Sequence, residues 1–128
     1  LEPLNVSDRV LMDINYISNE KRDLYFSAAD VIVLPYKKIY QSGVLVMALS
    51  YQLPVLASDL EPNKDFVKQL KTIELFSVGN STELSTSLNK LLGSENERSG
   101  LTKNGILLLE RNHNWKVIAK QFNELINL

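Results

Sequence analysis

The chain has no cysteine, and that absence removes disulfide frameworks, thiolate metal sites and cysteine nucleophiles together. Histidine is nearly absent as well. With His113 alone, any bound metal would have to rely on carboxylates, and no cluster of them suggests a site; no metal or other cofactor is expected. Neither charge sign is in excess, since 14 Lys and Arg stand against 15 Asp and Glu for a formal net charge of −1. Binding to nucleic acid or to an anionic membrane draws on a basic surplus, so neither partner is expected and a small, specific ligand is favoured. Long apolar runs are lacking too: stretches such as Val44 to Leu49 fall far short of the roughly 20 residues that cross a bilayer, and no secretory leader opens the chain. The expectation is a cytoplasmic protein, or one peripheral to the inner face of the membrane within a longer protein. A start at Leu1 without an initiator methionine marks the sequence as an expected piece of something longer.

At 128 residues the chain has the length of a single domain, 1–128, and about two-thirds of its unfolded surface can be buried without staples. Short apolar runs alternate with helical periodicity, the grammar of βα units and a parallel sheet. Arg9 to Ile14 reads as a weak first strand. Ser18 or Asn19 caps a helix reaching Ala29, with Leu24, Tyr25, Ala28 and Ala29 as its apolar stripe. Val31 to Leu34, stopped by Pro35, is apolar throughout, as is Val55 to Ala57 between Pro54 and Ser58; that pattern marks strands buried on both faces. A helix is predicted between them from about Ser42 to Gln52, another from Pro62 to Leu70, and a strand at Ile73 to Phe76. From Gly79 onward the reading is helical. Asn80 and Glu83 stand at capping-box spacing, Gly93 to Gly100 is a polar break, and Leu101 to Arg111 forms a helix. In the last helix Trp115, Ile118, Ala119, Phe122, Leu125 and Ile126 share one face, read as core or interdomain packing.

The chemistry concentrates between Asp30 and Asp59. Gly43 falls in the first turn of a helix just beyond the carboxyl end of a buried strand, the place where open parallel sheets bind ligands. There the backbone N–H groups of Ser42, Gly43 and Val44 point outward with the positive end of the helix dipole, and Gly43 has no Cβ to obstruct a diphosphate. The plainer reading makes Ser42 a helix cap and Gly43 a relief for a tight turn.

The stretch DVIVLPY from Asp30 to Tyr36, then QSGV from Gln41 to Val44, then LPVLASD from Leu53 to Asp59 resembles the retaining glycosyltransferases of GT-B fold, the glycosyl transferases group 1 family. Ile17 to Glu20 and Trp115 fit the same resemblance. It implies a Rossmann-like parallel sheet flanked by helices with a helical C-terminal segment, that is, part of a GT-B C-terminal domain. It also implies a UDP- or GDP-sugar donor with its phosphates at the helix that begins near Ser42. A hexosyl group would then pass to a glycan or lipid-linked acceptor on a separate N-terminal domain, and this chain alone would be inactive. The family's glutamate in the middle of that helix is matched by Met47, its earlier glutamate by Ile39, and the glycine usual before the Pro-Val pair by Gln52. No catalytic residue therefore carries over.

Around the predicted phosphate site, Lys37 and Lys38 are candidates to neutralise charge, against the reading of a solvated loop pair. Tyr36, Gln41 and Met47 are candidates to line the donor pocket. Asp59 and Glu61, after the next strand, are candidates to hydrogen-bond sugar hydroxyls, against ordinary helix N-terminal acids. His113 receives no role. Besides the transferase reading, two others stay open: a nucleotide-binding module without turnover, and a flavodoxin-like regulatory domain. The resemblance also implies an earlier strand-helix-strand segment. In the 3-2-1-4-5-6 strand order its absence leaves Val31 to Leu34 as an open edge, so either self-association or pairing of Arg9 to Ile14 with that edge is expected.

Overall fold

Three parallel strands, β1 (Ile32–Leu34), β2 (Val55–Ser58) and β3 (Glu74–Phe76), lie in that order in the computed structural model, which describes residues 6–40, 42–112 and 114–126. Ile32 stands opposite Val55 and Leu56 opposite Glu74. β2 is the central strand and is wholly buried. Its period-2 alternation divides the core: Val55 and Ala57 join Leu45, Ala48, Leu49 and Leu108 on one face, while Leu56 joins Phe76, Leu91 and Leu101 on the other. Two-sided burial is what the apolar run at Val55 to Ala57 predicted; β1, with one strand neighbour among the described residues, falls short of it, and its Ile32 and Val33 are half-buried.

Six α-helices surround this sheet among the described residues, and local chemistry explains most of their ends. Ser18 caps α1 (Asn19–Ala28) by accepting from the Lys21 N–H at 3.3 Å. Leu24, expected on its apolar stripe, is 65% exposed. The inward residues are Tyr25 and Phe26, the latter's ring packing at 5.1 Å between centroids and tilted by 41° against Tyr51 beyond the end of α2 (Gly43–Ser50). The helix predicted from Pro62 to Leu70 is instead one short helix, α3 (Glu61–Lys64), followed by a 3-10 turn over Asp65–Val67. The Thr72 hydroxyl takes the Phe66 carbonyl that a continuing helix would have offered to residue 70. In α4 (Ser81–Gly93) the Asn80 side chain accepts from the Glu83 N–H at 3.0 Å, as the spacing predicted, while the Glu83 carboxylate reaches back to the Ser77 N–H at 3.0 Å.

Two further expectations fail, at Gly93 to Gly100 and at Arg9 to Ile14. The polar break at Gly93 to Gly100 shrinks to Ser94, and α5 runs from Glu95 to Asn112. Ser94 accepts from the Glu97 N–H at 3.3 Å, and the Arg98 guanidinium satisfies the Leu91 and Leu92 carbonyls at 2.7 and 2.8 Å. Residues 95–99 are thus polar because they open one helix and close the one before. The second failure is Arg9 to Ile14, which is no strand: Ser7–Arg9 is a 3-10 turn, and no ladder joins residues 10–14 to β1 among the described residues. Val10, Leu11, Met12 and Ile14 are exposed. The segment is held by side chains, with Asp13 accepting from the Tyr25 hydroxyl at 2.6 Å and pairing with Lys21.

The last helix, α6 (Trp115–Ile126), is amphipathic as expected, but its apolar face is not core: Trp115 is 81% exposed, and Phe122, Leu125 and Ile126 are exposed too. No described helix is long and apolar enough to cross a membrane.

Candidate functional site

β1 ends at Leu34, and the loop beyond it delivers Ser42 to the start of α2. The Ser42 hydroxyl accepts from the Leu45 N–H at 3.0 Å, and its carbonyl takes the Val46 N–H at 3.3 Å. The plainer reading of Ser42 as a cap is therefore correct as far as it goes, and it leaves the Gly43 and Val44 N–H groups without an acceptor among the described residues. A Cβ placed on Gly43 would meet nothing within 4 Å. The glycine is not required by the fold; it borders open space.

That space is a cavity of about 710 Å³ at the carboxyl ends of β1 and β2. Ser42, Gly43 and Val46 of α2 form one wall, and Glu61, Pro62 and Asn63 of α3 another. Leu108 and Asn112 close it from the end of α5, with Tyr40, Asp65 and Phe66 between. The start of α2 thus shares one cavity with two acidic residues, Glu61 and Asp65. Both are screened by neighbours one turn on: Glu61 pairs with Lys64 at 2.7 Å and Asp65 with Lys68, and each lysine's pKa is raised by its partner. The arrangement suits a ligand with an anionic group for the helix end and hydroxyls or amines for the acids.

Of the residues singled out from sequence, Ser42, Gly43 and Glu61 meet in this cavity. Val44 is exposed beside it and offers only its backbone. Lys37 and Lys38 are exposed on the approaching loop, outside the lining. Tyr36 is half-buried against the core. Met47 is half-buried on α2, away from the lining. Asp59 accepts from the Val78 N–H at 3.0 Å and so ties down the turn before α4. Gln41 and His113 lie outside the described residues. The lining residues not foreseen are Tyr40, Val46, Pro62, Asn63, Asp65, Phe66 and the α5 pair. Only Asn63 carried a local signal, as an amide one residue beyond a helix-starting proline.

Residues 2–108 match the family model described as glycosyl transferases group 1. This chain belongs to that family. No curated protein matches it significantly. Among solved structures it is similar to the sucrose-phosphate synthase of Thermosynechococcus elongatus, with a TM-score of 0.81 and 28% identity over 96% of this chain. The match covers 31% of that synthase, so the chain spans about a third of its length.

Membership gives Gln52 a physical meaning. The family usually places glycine there, and in this group 1 chain Gln52 has φ +59°, the left-handed conformation that ends α2 and directs the chain into β2. The backbone has kept a glycine's geometry without the glycine.

Proposed function

We propose that this chain is the donor-binding domain of a glycosyltransferase, holding the diphosphate of a UDP- or GDP-sugar at the first turn of α2 for hexosyl transfer to a glycan or lipid-linked acceptor. The observation that carries the reading is the meeting of the free, unobstructed Gly43 backbone and Glu61 in one cavity of about 710 Å³ at the strand ends, with the Val44 N–H beside it. The Gly43 and Val44 N–H groups and the α2 dipole stabilise the charge that grows on the departing diphosphate, aided by Lys37 and Lys38 on the loop. Glu61 accepts hydrogen bonds from the sugar. The acceptor belongs to a further domain whose closure completes the site, so turnover requires that domain.

A second reading, a donor-binding module without turnover of its own, is favoured by Met47 and Ile39 at the positions of the family's glutamates. Hydrolysis of a UDP- or GDP-sugar by the protein joined to its acceptor domain separates the two.

The test of the site is Gly43→Val. Because nothing surrounds Gly43, the variant is expected to fold normally while its side chain fills the diphosphate position, weakening UDP or GDP binding by more than about tenfold. Calorimetric titration showing equal affinity in the variant and the unsubstituted protein would refute the site.

A further inference from the structure

Two buried polar side chains at the carboxyl end of β2 are bonded to backbone. Ser58 and Asn63 are each 1% exposed, a depth at which polar groups persist only with their hydrogen bonds made. The Ser58 hydroxyl donates to the Tyr36 carbonyl at 2.7 Å, with the Leu34 carbonyl at 3.3 Å. Those carbonyls mark the end of β1 and the start of the loop that leads to Ser42 and Gly43. On its other side, the Ser58 carbonyl accepts from Asn63 Nδ2 at 2.8 Å and from the Leu60 N–H at 2.8 Å. Ser58 therefore grips the loop feeding one wall of the cavity and, through Asn63, the helix forming the other.

We infer that Ser58 and Asn63 are positioning residues for donor binding, setting the separation of α2 and α3 and hence the width of the cavity between them. The inference rests on the donor-site reading above. Removing the Ser58 hydroxyl deletes one atom from the core but frees the Tyr36 carbonyl and the loop behind it. That loop then samples arrangements in which the α2 N–H groups no longer face α3. Ligand affinity falls by the fraction of molecules in the competent arrangement.

The experiment is titration of UDP and GDP into the unsubstituted protein and into Ser58→Ala, Ser58→Thr and Asn63→Ala, with amide hydrogen exchange on the same samples free of nucleotide. Ser58→Ala is expected to bind about tenfold more weakly, the worth of roughly one buried hydrogen bond. It should also exchange faster at Tyr36 to Tyr40 and at Asn63 and Lys64, while Leu45 and Leu56 stay protected. Ser58→Thr keeps the hydroxyl and should restore both properties; Asn63→Ala should repeat the loss. Unchanged affinity in Ser58→Ala would overturn the inference. So would faster exchange spread evenly over β2 and α2, the mark of a core that is merely weaker. If the unsubstituted protein binds neither nucleotide, the donor-site reading fails, and the exchange data alone decide whether Ser58 tethers the loop.

Discussion

Leu56 in β2 and Trp115 in α6 are both large apolar residues in segments of clear periodicity, yet Leu56 is fully buried and Trp115 is 81% exposed. β2 lies between strands of its own chain and beneath helices on both faces, so each side chain has somewhere to go. α6 and residues 10–16 carry comparable apolar content with no cover from the described chain: Leu11, Ile14, Tyr16, Phe122 and Leu125 are all exposed. Periodicity states which face of an element is apolar. It does not state what the face meets.

The comparison breaks most readily in the core. Leu56→Ala is expected to cost roughly 2–5 kcal/mol, because the transfer energy of the lost methyl groups adds to that of a cavity the packed strands cannot close. Trp115→Ser should change stability by no more than about 0.5 kcal/mol. Urea unfolding at constant m-value measures both. A Trp115→Ser cost equal to that of Leu56→Ala would mean that α6 is covered within this chain after all.

A smaller effect sharpens the contrast at the seam between α2 and β2. Gln52 holds a left-handed backbone, which costs a side-chain-bearing residue roughly 1–2 kcal/mol; glycine escapes that cost but loses more chain entropy on folding. Gln52→Gly is expected to raise stability by about 1 kcal/mol in the same urea assay. Gln52→Ala, which has a Cβ, should give no gain. Equal behaviour of the two variants would show that the turn is unstrained.

The smallest effect belongs to the exposed amino-terminal region. Lys21 first, and the Tyr25 hydroxyl second, hold the Asp13 carboxyl down to about 2 from 3.8. A folded-state pKa below the unfolded one stabilises above the unfolded value, and that contribution disappears as pH falls through the folded value. Residues 10–16 should therefore detach from α1 between about pH 4 and pH 2, while β2 amides remain protected if the core survives. Asp13→Asn should lack that step. Chemical shifts of Tyr16 and Tyr25 followed against pH would show it, and an identical step in Asp13→Asn would assign it to another group.

The head of α2 could be read from the sequence because its parts are local, whereas most of the cavity lining could not. A cap and the helix it starts lie within one turn of each other, so Ser42, Gly43 and the strand before them could be placed from spacing alone, as could the Asn80–Glu83 cap. The errors came where polarity or apolarity has two causes. Residues 95–99 looked like a loop because helix ends and loops both need side chains that satisfy backbone groups. Arg9 to Ile14 looked like a strand because its composition suits one, but a strand exists only when another supplies its hydrogen bonds.

The sequence by itself determined the order of the βα units, the two-sided burial of β2, and the glycine at the head of α2. Each follows from side-chain period or from chemistry within one helical turn. β1, at the edge of the described sheet, is only half-buried at Ile32 and Val33. Only the tertiary structure decided that Glu61 would share a cavity with Gly43, that Leu108 and Asn112 would close it, that Asp59 would be taken by a turn, and that α6 would stand uncovered. Those outcomes depend on contacts between segments far apart in the chain. Their free energy resides in packing and in buried hydrogen bonds such as those of Ser58, which no local pattern encodes.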